Sequence, residues 1–109
     1  MSDSNQIQKM LQDIVQRIVN GYSPHKIILF GSCAYGRPDE DSDIDLLIIK
    51  DTDETPLKRW MEVKRLVRDR NRRSSVSPLV YTRNEIEERL AMKDFFIQEV
   101  MERGKVLYG

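Results

Sequence analysis

The chain has 109 residues, enough for one hydrophobic core and too few for two ordinary domains, so residues 1–109 read as a single domain. Its 18 basic and 18 acidic side chains cancel, which removes any global electrostatic case for nucleic-acid binding and means that an anionic ligand must be held locally. Cys33 is the single cysteine, excluding an internal disulfide and a cysteine-based zinc site, and no apolar run approaches the roughly 20 residues that span a bilayer.

The N-terminal "MSDSNQIQKM" lacks the apolar segment of a signal peptide, so a soluble, cytoplasmic protein without membrane association is expected. From Asp3 to Asn20, Ile7, Met10, Leu11, Ile14, Val15, Ile18 and Val19 recur at helical spacing, with Ser2 or Ser4 able to cap the start and Gly21 the end. "KIILF" reads as a buried strand that stops at Gly31. "SCAY" offers one helical turn before the loop residues "GRPDEDS", and "DIDLLIIK" is a second strand. Pro56 starts a helix that the pattern carries to about Asn71. "SVSPLVYT" is a third strand, in which Pro78 points to a sheet edge or a bulge. Thr82 and Glu85 have capping-box spacing for a helix through "NEIEERLAM", and Asp94 starts a last helix that Gly104 ends, leaving "KVLYG" extended. With a loop of about 12 residues between the first two strands, a mixed or antiparallel sheet is favoured over a doubly wound one. The fold class is therefore α+β, or α/β with a mixed sheet, with about three strands and helices packed on them.

The chemistry concentrates in "ILFGSCAYGRPDEDSDIDLLI". Asp43 and Asp45 alternate along a strand and share a face, where two carboxylates repel unless a cation lies between them. A hard ion such as Mg²⁺ suits them, because it takes oxygen ligands and keeps water or substrate phosphates in its other positions. Gly31 lets the backbone turn tightly and approach a ligand, and Ser32 adds a hydroxyl beside the free N–H groups of a following helical turn. Taken alone, the Asp-x-Asp also reads as a solvated strand start and the Gly-Ser as a plain turn. If the strands are neighbours, the two meet at one sheet edge as a phosphoryl or nucleotidyl transfer site.

Gly31, Ser32, ten residues, then Asp43-Ile44-Asp45 resembles the signature of the polymerase-beta-like nucleotidyltransferase superfamily. The context "FGSCAYG…SDIDLLI" is similar to its minimal, antitoxin-type members, over roughly residues 3–90 and strongly in 27–50. The resemblance implies Mg²⁺-dependent transfer of a nucleoside monophosphate, AMP from ATP in the first reading, to an acceptor hydroxyl with release of pyrophosphate. It implies that Gly31 and Ser32 hold the triphosphate and that Asp43 and Asp45 are the catalytic carboxylates, binding two Mg²⁺ ions; Arg37, just past the Gly-Ser turn, reads by its position as either a further phosphate contact or a solvated loop residue. It also implies a helical HEPN-type partner in a toxin–antitoxin-like pair, with a homo-oligomer as the alternative.

The third carboxylate that catalysing members supply from the next strand would fall at Ser77, and Asp69, Asp94 or a partner's carboxylate are the available substitutes. The rival reading is consequently a nucleotide-binding module with little or no turnover. Other features carry bland and functional readings together. Arg68, Arg70, Arg72 and Arg73 suit either a phosphate grip or a helix C-terminus, and Cys33 and His25 read mainly as structural. Trp60, Phe95, Phe96 and Tyr108 read as core or interface rather than base-stacking residues. "FFIQEVM" is apolar enough to dock on a partner or a second copy.

Overall fold

The computed structural model describes residues 2–35 and 43–109, with the side chains of residues 6–34 and 43–109. Its elements run α1 (Ser2–Tyr22), β1 (Lys26–Phe30), α2 (Ser32–Tyr35), β2 (Ile44–Ile49), α3 (Pro56–Leu66), β3 (Val76–Tyr81), α4 (Arg83–Ala91), α5 (Phe95–Arg103) and β4 (Lys105–Tyr108). The sheet has the order β3-β2-β1-β4. β1 is antiparallel to both β2 and β4, and β2 is parallel to β3 through the crossover helix α3.

Alternation along the strands divides the apolar residues between two layers. On one face Ile27, Leu29, Ile44, Leu46, Ile48, Val76 and Val80 bury against Leu11, Ile14, Ile18 and Tyr22 of α1 and Val63 of α3. On the other, Ile28, Leu47 and Ile49 bury against Ile86 of α4 and Ile97 and Val100 of α5. Each fully buried Ile or Leu contributes about 1.5–3 kcal/mol. The second cover is incomplete: Leu47 is fully buried, whereas Ser77 is exposed and Leu79 is 37% exposed on the same face. That open end of the sheet carries Asp45.

The helix starts follow local chemistry. Thr55 accepts from Lys58 N before α3, and Asp94 from Ile97 N before α5. Thr82 and Glu85 form the expected reciprocal capping box, with Glu85 N donating to Thr82 Oγ1 at 3.1 Å and Thr82 N to Glu85 Oε1 at 2.8 Å. Pro78 sits in β3, an edge strand, where its missing N–H costs least.

Three details differ from the sequence expectation. The sheet has four strands rather than about three, because "KVLY" pairs with β1 as β4. α1 continues through Gly21 to Tyr22, and Ser23 takes the left-handed turn with φ 52°. α3 stops at Leu66, five residues before Asn71, because local hydrogen bonds compete with the helix there: Asn71 N donates to Asp69 Oδ1 at 2.9 Å, and Arg72 Nη1 to Val67 O at 2.6 Å.

Candidate functional site

β1 ends in Phe30, and Gly31 turns the chain with φ +76°, a left-handed conformation that a side chain disfavours. A β carbon there would overlap Asp45 Oδ2 and lie 3.1 Å from Asp45 Cγ. The glycine is therefore required twice, by its backbone angle and by a carboxylate packed against it. Ser32 follows, exposed at the start of α2, and Ala34 N closes the turn on Gly31 O at 3.0 Å.

Strand pairing builds a row across the sheet. Asp45 lies opposite Phe30 on β1 and beside Ser77 on β3, so the three side chains share the open face. Burial first, and the charge of Asp43 second, push the Asp45 carboxyl above its ordinary value. Asp43, just ahead of β2, is exposed, and its Oδ1 accepts a hydrogen bond from Ser75 Oγ at 2.7 Å. Its carbonyl accepts from Cys33 Sγ at 3.1 Å. Ile44 N donates to Ser75 O at 2.9 Å, fixing the mouth of the β2–β3 pair.

Gly31, Ser32, Asp43 and Asp45 are thus gathered at one end of the β1–β2 hairpin. Arg37, the expected phosphate contact, lies outside the described residues. Ser77 stands beside Asp45 at the position anticipated for a third carboxylate. Neither substitute is free: Asp69 pairs with Arg17 at 3.6 Å and Arg72 at 3.9 Å, and Asp94 caps α5. Among the described residues no cluster of three His, Cys, Asp or Glu side chains that could hold a metal ion is formed. The pair Asp43 and Asp45 nevertheless fits one hard divalent cation. Both are oxygen donors, burial and, second to it, the Asp43 charge raise the proton affinity of Asp45, and such ions are commonly held by one or two carboxylates plus substrate phosphates.

Ser75 is the site residue that sequence reading missed; it precedes β3 by one position, and only the parallel crossover brings it to Asp43. The arginine run lies beyond the end of α3, and within it Arg72 has a structural role. Arg72 is buried between Asp13 and Asp69, its pKa lowered by burial and raised in opposition by Asp69, and it donates to a carbonyl just beyond α3. His25 lies 3.5 Å from Asp51, a surface pairing. No described helix is long and apolar enough to cross a membrane.

The nucleotidyltransferase domain family matches residues 8–107. No curated protein matches. Among solved structures, a Sulfolobus solfataricus protein provisionally named a nucleotidyltransferase superposes with a TM-score of 0.58 at 24% identity, over 78% of this chain and 77% of that one. That likeness is one of fold. A family match across nearly the whole chain, with Gly31 of the Gly31-Ser32 turn packed against Asp45 two residues beyond Asp43, makes this chain a member of the nucleotidyltransferase domain family in the polymerase-beta-like superfamily.

Proposed function

We propose that the protein transfers AMP from ATP, with Mg²⁺, to an acceptor hydroxyl, and that Gly31, Ser32, Asp43 and Asp45 form the site. The contact of the Gly31 turn with Asp45 carries this reading, since it sets a backbone that can approach phosphate oxygens beside carboxylates suited to the cation those oxygens bind. Bound there, the cation would polarise the transferring phosphate and neutralise charge on the leaving pyrophosphate. Gly31 and Ser32 hold the triphosphate, Asp43 and Asp45 hold the cation, and Ser75 keeps Asp43 oriented. Arg37 is assigned to the phosphates from the sequence motif alone.

Phe95, 77% exposed at the start of α5, supports a protein partner, and the family resemblance makes that partner a helical HEPN-type protein in a toxin–antitoxin-like pair. A second reading is favoured by Ser77, which sits beside Asp45 and cannot take the proton of an attacking hydroxyl. On that reading the domain binds nucleotide and acts through its partner with little turnover.

The test is label transfer from α-labelled ATP and Mg²⁺, with the purified protein alone and with a host lysate, beside the Asp43→Ala, Asp45→Ala double variant and Ser77→Asp. A labelled acceptor lost in the double variant establishes transfer. Label appearing only with Ser77→Asp establishes the low-turnover module. Absence of MgATP binding by the wild type overturns both.

A further inference from the structure

We propose that Phe30 and Phe96 form a seat for the nucleobase of the bound nucleotide, which selects purines by stacking area; this rests on the nucleotide reading above. Phe30 is the residue directly before the Gly31 turn and lies directly opposite Asp45 in the antiparallel pair, on the same face of the sheet. The Phe96 ring meets it edge to face, with centroids 5.4 Å apart and planes at 79°. Phe96 is held from behind, because Ile97 is fully buried and Asp94 caps the helix start on which it stands. Phe96 is nonetheless 44% exposed.

Phe30 pairs with Asp45 and its ring meets that of Phe96, so a single side chain separates the Phe96 ring from the residue that faces Asp45 and precedes the Gly31 turn. Across Asp45 from Phe30, Ser77 is exposed, and in the next row Leu79 is 37% exposed, so the face is uncovered on the β3 side of the carboxylate. An apolar shelf that begins beside the candidate triphosphate turn suits the planar, apolar end of the same ligand. Stacking reads the area of a π face and not its edge, so ATP and GTP are bound alike and both more tightly than CTP and UTP. Phe95, 77% exposed, has no such ring partner among the described residues and takes no part in the seat.

The test is calorimetric binding of ATP and of inorganic tripolyphosphate, each with Mg²⁺, to the wild type, Phe96→Ala, Phe96→Leu and Phe96→Tyr, with sedimentation of the same samples. Loss of one stacked base weakens ATP about tenfold or more in Phe96→Ala. Tripolyphosphate is unchanged, Phe96→Tyr behaves as wild type, and Phe96→Leu, which keeps an apolar side chain without the ring, is also weakened. ATP binding that is unchanged in Phe96→Ala and Phe96→Leu overturns the seat, and loss of self-association in those variants would make Phe96 a protein interface instead. An equal loss for ATP and tripolyphosphate overturns it as well, by locating the defect in the phosphate site. If the wild type binds neither compound, the nucleotide reading itself fails, a result distinct from both.

Discussion

Replacing Gly31 with alanine tests the coupling between turn and carboxylate. The backbone φ of +76° places a non-glycine residue in the left-handed region, which costs about 1–2 kcal/mol. The added methyl would lie 3.1 Å from Asp45 Cγ and overlap Oδ2, so either the carboxylate or the turn must move. For a chain of this size about 2 kcal/mol corresponds to a fall in Tm of roughly 8–16 °C. A displacement near 1 Å at a group that positions the reaction costs about 100-fold in rate. The paired assays are thermal unfolding followed by circular dichroism and Mg²⁺-dependent label transfer, or MgATP binding if turnover is low. Ser32→Ala is the comparison, because it removes the neighbouring hydroxyl without touching the Asp45 contact. A Gly31→Ala protein that melts within about 2 °C of wild type and binds MgATP normally would refute the reasoning, since both the strain and the overlap would then have been relieved without consequence.

Two further outcomes follow from hydrogen bonds at and beyond the site. Ser75→Ala removes the donor that fixes Asp43 Oδ1, and weakening of Mn²⁺ binding by about tenfold, read by electron paramagnetic resonance and restored by Ser75→Thr, is expected. The second concerns Glu85, whose carboxyl is held below its usual value mainly by the Arg59 hydrogen bonds, at 2.7 and 3.3 Å. A carboxylate with a depressed folded pKa binds fewer protons in the native state, so its stabilisation is present above the ordinary value and is lost as pH falls through the folded value. Glu85→Gln should therefore lower stability at pH 7 and flatten the acid limb of a urea-denaturation series below about pH 4.5. An unchanged acid limb in that variant would show that Arg59 and Glu85 do not stabilise the fold through their charges.

The juxtaposition of the candidate site residues was legible because its two halves are local in sequence. Gly31 directly follows β1 and Asp45 lies in β2, and their meeting needs only that those consecutive strands pair. The placement of Ser75 and Ser77 was less accessible in detail. It depends on the register of a parallel pair joined across α3, and that register is set by how Val63 and Val76 pack against the same core. β4 read only as an extended tail because a four-residue strand, exposed at three positions, has little apolar pattern to announce it. The end of α3 was overestimated because Val67 continues the apolar period, while the stop comes from polar side chains bonding to nearby backbone. Phe96 was grouped with core or interface aromatics, since nothing local shows that its ring leans on the residue that opens the Gly-Ser turn.

The strand order also has a consequence for how the chain folds. β1 and β2 can form a hairpin early, but the outer partner of β1 is β4, about 75 residues further along. Until residues 105–108 dock, the apolar strand "KIILF" presents an open row of backbone donors and acceptors. That interval is when two nascent copies can pair edge to edge, and the contact is a long-range one that forms slowly. The short, mostly exposed β4 thus acts as a late-arriving cover that keeps an apolar strand edge from finding the wrong neighbour.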